Sequence, residues 1–171
     1  LAGISRPASG IEHYFSHLWD MRGLEYGYHV NTHGLQCAAS TYITAKLYHH
    51  LKNIVPDRET ALKAVQEFDF SAWSDTLRDF LGKGAESMIA LEAKEQKYNL
   101  EIHKKRLEII IDKWDKIQNI INEELPTVDD ATALFDNVGL PKTMGELGIS
   151  SDILPLTFKA AKDIRDKYVL P

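Results

Sequence analysis

Apolar side chains recur at helical spacing along nearly the whole chain, and nothing alternates at period two for long enough to make a strand. The first helix is expected over 11–21, where Ile11, Phe15, Leu18 and Trp19 share a face, behind a loop punctuated by Pro7 and Gly10 with Ser9 as its N-cap. A turn rich in Gly and Tyr follows (Gly23, Tyr26, Gly27, Tyr28). A second helix runs from about His33 to Lys52, and its small residues Ala38, Ala39, Ser40 and Ala45 suggest close packing against a neighbour. Pro56 stops it. Helices over 58–66 and 70–81 come next, the latter capped by Ser71 or Asp69 and ended by Gly82. From Ala85 to Glu124 no Gly or Pro intervenes, enough for one helix of about 60 Å or for two with an unmarked break. Leu100, Leu107, Ile110, Ile111, Trp114, Ile117 and Ile121 sustain its period. Pro126 closes it, and Thr127 caps a helix over 128–137 whose first turn carries Asp129 and Asp130, where the helix dipole favours acids. Gly139 and Pro141 mark a turn, 143–147 reads as one helical turn ended by Gly148, and a last helix begins near Pro155 and runs to about Tyr168. The pattern is that of an all-α protein, an irregular multi-helix bundle read as one domain over 1–171.

Charge narrows the range of partners. Twenty basic residues stand against 25 acidic ones, a net charge of −5. Phosphate binding needs clustered Lys and Arg, and the short run Lys104-Lys105-Arg106 is surrounded by acids, so no nucleic-acid partner is expected. No apolar run approaches the ~20 residues of a membrane span, and no basic region followed by an apolar one marks a signal peptide. The single cysteine, Cys37, allows no intrachain disulfide and suggests a reducing, cytoplasmic setting. The chain starts on Leu1-Ala2-Gly3 and ends on Leu170-Pro171, which reads as cut from something longer.

The chemistry concentrates near the start. Four of the seven histidines lie between His13 and His33. His13 and His17 are four apart and point to one helix face, so they can clamp one metal ion, or place a ligand beside an acid–base group. A hairpin of the first two helices would bring His33 past them as a third imidazole. Neutral imidazoles suit Zn2+, Ni2+ and Fe2+, and a catalytic site uses about three protein ligands with an open position. Glu12-His13 is not a zincin motif, which needs the glutamate after the first histidine. His49 and His50 are expected to cap or line surfaces, and His103 to face solvent. No Gly-rich phosphate cradle of the dinucleotide or P-loop type occurs.

The run Ser5-Arg6-Pro7-Ala8-Ser9-Gly10-Ile11-Glu12-His13-Tyr14-Phe15-Ser16-His17, followed after a short insert by His33-Gly34, resembles the signature of glycerol-1-phosphate dehydrogenases, in the iron-containing alcohol dehydrogenase and glycerol dehydrogenase superfamily. The stretch over 138–149 is similar to that superfamily's Leu-Pro…Leu-Gly-Ile element. The resemblance implies the helical C-terminal domain of the dehydroquinate synthase-like fold, with NAD or NADP bound mainly by an N-terminal α/β domain. It implies a divalent metal, Zn2+ first with Ni2+ or Fe2+ as alternatives, held by His13, His33 and an aspartate that would precede residue 1. His17 then lies near substrate and cofactor and relays the proton, since a histidine titrates near working pH. Arg6 and Ser9, leading into a helix N-terminus, would help His17 hold a phosphorylated polyol substrate. The metal would polarise the carbonyl of dihydroxyacetone phosphate, or lower the pKa of the alcohol in reverse, while nicotinamide carries the hydride. A homo-oligomer is implied, and the segment by itself is expected to be inactive. Relatives often carry an acidic residue where Leu35 follows His-Gly, so hydrogen bonding around His33 is expected to differ.

Two other functions compete: a non-enzymatic helical module using the charged 85–124 stretch as a partner surface, and a relative of the dehydrogenases that keeps the fold and has lost activity.

Overall fold

The computed structural model describes residues 10–166, and these form an all-α bundle with no strand among them. Nine helices follow in order: α1 Ile11–Tyr26, α2 His33–Leu51, α3 Arg58–Gln66, α4 Phe70–Leu81, α5 Ala85–Glu95, α6 Leu100–Asp112, α7 Trp114–Glu124, α8 Val128–Val138 and α9 Leu154–Ala161. Short 3-10 turns at Gly82–Gly84, Gly145–Leu147 and Ser151–Ile153 join some of them.

α1 is the central helix. It packs against α2, α4 and α9, and Tyr14, Phe15 and Leu18 are fully buried. Around them close Leu77, Phe80 and Leu81 of α4, Ala85 and Met88 of α5, Met144 and Leu147, and Ala160 and Ala161 of α9. A second, smaller core joins Tyr42 of α2 to Ala131 and Phe135 of α8. The small residues of α2 serve the approach to α1: Ala39 and Ser40 are fully buried, and Ser40 Oγ donates to the Glu12 carbonyl at 2.9 Å. Capping follows side-chain chemistry. Asp57, Asp69, Asn99 and Thr127 each accept from a backbone N–H of the turn they open, which settles the start of α4 on Asp69.

Four expectations are corrected. α1 runs past Met21 to Tyr26, because Gly23 is a buried helical residue and the chain turns at Gly27, in the left-handed conformation with φ 72°. The 85–124 stretch is three helices. Gln96 takes a left-handed backbone at φ 51° and ends α5, Asn99 caps α6, and Lys113 with φ −102° separates α6 from α7. The first break has a tertiary cause. Lys97 reaches over to donate from Nζ to the carbonyls of Lys162, at 2.6 Å, and Arg165, while Tyr98 OH donates to Asp163 at 3.0 Å. That ammonium takes free carbonyls at the end of α9, and α9 stops at Ala161 rather than continuing to Tyr168; residues 167–171 lie outside the described part. His103 does not face solvent: it is half-buried where α6 meets α3, and its Nε2 is enclosed.

Candidate metal centre

The α1–α2 hairpin brings residues twenty positions apart into contact. His13 Nδ1 and His33 Nε2 are 3.1 Å apart, and Cys37, one turn after His33 on α2, places Sγ 3.4 Å from His33 Nε2 and 3.8 Å from His13 Nδ1. Among the described residues these three form a group whose donor atoms all lie within 4.8 Å of one another. His33 is exposed while His13 and Cys37 are half-buried, so the cluster opens to solvent on one side.

A buried polar chain orients His33. Gln36 is nearly inaccessible, and its amide nitrogen donates to Asp20 Oδ1 at 2.9 Å and to the Asn31 carbonyl at 3.1 Å. Its Oε1 is thereby turned to Ser16, which is fully buried and donates its hydroxyl proton there at 2.6 Å. A hydroxyl has one proton. Ser16 Oγ, 2.7 Å from His33 Nδ1, must therefore accept from a protonated Nδ1, and His33 Nε2 carries the bare lone pair. That lone pair faces His13 Nδ1. His13 Nδ1, 3.1 Å away, is placed to donate its proton to that lone pair, while Glu12 Oε1, 3.9 Å from His13 Nε2, lies beyond hydrogen-bond distance. The two imidazole nitrogens and the Cys37 sulfur converge on one point, a donor set that a divalent metal fits once it displaces the proton between the rings.

His17 sits beside the pair without joining it. Its ring stacks on His33 with centroids 5.6 Å apart, and burial, then the neighbouring His33, hold it below the ordinary histidine value. Burial also pushes the Cys37 thiol up. His29 is exposed and lines a cavity of about 430 Å3 with Trp19, Arg22, Tyr28, Gln36, Ile149 and Ser150. The 138–149 stretch is tied to the site through Asn31, whose Nδ2 donates to the Leu147 carbonyl at 2.5 Å while its own carbonyl receives Gln36. Leu35 lines a groove with Phe135 and Leu140. Arg6 and Ser9 lie outside the described residues, and the position before α1 is held by Gly10. Four residues were missed in the sequence: Cys37, read there only for redox setting, and Ser16, Gln36 and Asp20. A signal existed for the first, since His33 and Cys37 are four apart on one helix. None existed for the relay, whose members pair only across the hairpin.

No protein-family model matches the chain, and no solved structure matches it. Curated relatives do. A protein of Caldivirga maquilingensis named glycerol-1-phosphate dehydrogenase, NAD(P)+, is 47% identical over 48 residues, 28% of this chain and 14% of its own length. One of the same name from Korarchaeum cryptofilum is 49% identical over 47 residues, 28% of this chain and 15% of its own. Another, from Methanococcus vannielii, is 40% identical over 70 residues, 38% of this chain and 21% of its own. The matched part of the chain thus spans about a fifth or less of these relatives. By sequence the chain is similar to the glycerol-1-phosphate dehydrogenases, at 40–49% identity over 28–38% of its length.

Proposed function

We propose that residues 1–171 are the helical metal- and substrate-binding domain of an NAD(P)-dependent glycerol-1-phosphate dehydrogenase, a cytoplasmic homo-oligomer that interconverts dihydroxyacetone phosphate and glycerol 1-phosphate. The observation that carries this reading is the 3.1 Å approach of His13 Nδ1 to His33 Nε2, with the Ser16 hydroxyl holding the His33 tautomer. His13 and His33 hold the metal, with Zn2+ preferred to Ni2+ or Fe2+. When bound, it supplies a Lewis acid for the substrate's reacting oxygen. His17, stacked on His33 yet outside the donor cluster, accepts and returns the proton at its ring nitrogen. Arg6 and Ser9 bind the substrate phosphate with His17, and the nucleotide is held mainly by an α/β domain not contained in these residues.

The test is NAD(P)H oxidation with dihydroxyacetone phosphate by the chain joined to its nucleotide-binding half, supplied with Zn2+, Ni2+ or Fe2+. Turnover with at least one metal is expected, and its loss in His13→Ala and His33→Ala should accompany loss of metal. No turnover with any of the three, or unchanged metal content in both variants, overturns the reading. The 171 residues alone are expected to turn nothing over.

A further inference from the structure

The donor atoms of the cluster lie where a tetrahedral ion would hold them. With Zn–N near 2.0–2.1 Å and Zn–S near 2.3 Å, ligand atoms on a tetrahedron are about 3.3 Å apart for two nitrogens and about 3.6 Å for nitrogen and sulfur. The observed separations are 3.1 Å between the imidazole nitrogens, and 3.4 and 3.8 Å from each to Cys37 Sγ. Three donors so spaced occupy three corners of one tetrahedron and leave the fourth open on the exposed side of His33.

We propose that Cys37 is a metal ligand, so that α1 and α2 between them supply a His13–His33–Cys37 site for a borderline-soft dication, Zn2+ before Fe2+ or Ni2+. The inference rests on the reading that His13 and His33 bind metal, and it changes what that site is. A pair of imidazoles needing a carboxylate from elsewhere becomes a three-donor set within one hairpin. Sulfur shifts the preference among metals, because thiolate ligands select zinc over harder competitors. Register makes the arrangement local. His33 and Cys37 are i and i+4 on one face of α2, and Ser40, the next residue but two, anchors that face to the Glu12 carbonyl of α1. On coordination the Cys37 S–H proton leaves to solvent as the sulfur–metal bond forms, and the proton that His13 Nδ1 shares with His33 moves by way of solvent to His13 Nε2, which keeps the ring neutral and frees Nδ1 to ligate.

The experiment uses the full-length protein, stripped with chelator and reloaded with Co2+, a spectroscopic substitute for Zn2+. The wild type is expected to show visible d–d bands of a tetrahedral ion and a near-ultraviolet thiolate-to-cobalt charge-transfer band. In Cys37→Ser the charge-transfer band disappears, and Zn2+ affinity falls by about 100-fold or more, beyond the loss usual for a residue that only supports a ligand. X-ray absorption of the Zn2+-loaded wild type needs no variant and should show a sulfur shell near 2.3 Å. Visible bands without charge transfer, or a zinc shell of nitrogen and oxygen alone, overturn Cys37 as a ligand and leave the His13–His33 reading standing. No Co2+ or Zn2+ bound at all overturns both.

Discussion

Ser16 Oγ lies 2.7 Å from His33 Nδ1, and this one contact decides which nitrogen of His33 is available for chemistry. Ser16 comes from the middle of α1 and His33 from the first turn of α2, so the tautomer is set by packing. The effect can be isolated. Ser16→Ala removes the acceptor for the Nδ1 proton and leaves His33 free to rotate or change tautomer. Metal affinity should drop about 10–100-fold, the usual cost of losing a group that orients a ligand. A Zn2+ competition titration against a chromophoric chelator measures it, and affinity within twofold of wild type would refute the role.

In the proposed reading His17 handles the proton and is not a metal ligand, and the two roles can be separated. His17→Ala should keep wild-type metal content while the joined enzyme loses turnover by about 10²–10⁴-fold, the range for a lost general acid–base group. Metal analysis and a steady-state assay on the same preparation check both halves. Loss of metal in this variant would place His17 among the ligands instead.

Glu92 makes stability depend on pH. Its side chain is 4% exposed, and one carboxylate oxygen is enclosed without a hydrogen-bond partner. Burial, followed by the charge of Asp163, pushes it from an ordinary 4.5 up to about 7. The folded state therefore keeps a proton that the unfolded chain gives up. The resulting stability is fully present below 4.5 and is lost as pH rises through about 7. Thermal unfolding should show Tm falling across that window, and Glu92→Gln, which cannot ionise, should flatten the slope.

Gly23 marks the tightest approach of the loop to α1. A Cβ there would stand 2.1 Å from Val30 Cγ2 and 3.4 Å from the Tyr28 carbonyl. Gly23→Ala should cost about 1–3 kcal/mol, the range for forced overpacking. Removing the obstacle in Gly23→Ala with Val30→Ala should recover part of it, because the two sites share one contact. Urea unfolding of the single and double variants gives the coupling directly.

Much of the helical order was legible in the chain. α2, α3, α4 and α8 begin and end within a residue of the expected points, and for the last three local chemistry marks the boundaries: Asp57, Asp69 and Thr127 cap, and Gly82 and Gly139 stop. The misplaced ends share a different origin. Gln96 adopts a left-handed backbone that its own type does not ask for, since Lys97 and Tyr98 are drawn to the far end of the chain at Lys162, Asp163 and Arg165. Gly23 looked like a turn residue, whereas it is a helical residue on which Val30 packs.

The candidate site divides along the same line. Residue types and spacing alone marked His13, His17 and His33, because i and i+4 histidines share a helix face whatever surrounds them. Which of them converge depends on the crossing of α1 and α2, and this in turn depends on Ala39 and Ser40 letting the two backbones close up. Sequence thus determined that the chain is helical, where most helices start, and which segment carries the clustered histidines, since these follow from interactions within a turn or two. Only the tertiary structure decided that Cys37 faces His13, that Ser16 and Gln36 hold the His33 tautomer, and that α5 breaks at Gln96. Each of these depends on a partner at least sixteen residues away, and no local preference encodes such a distance.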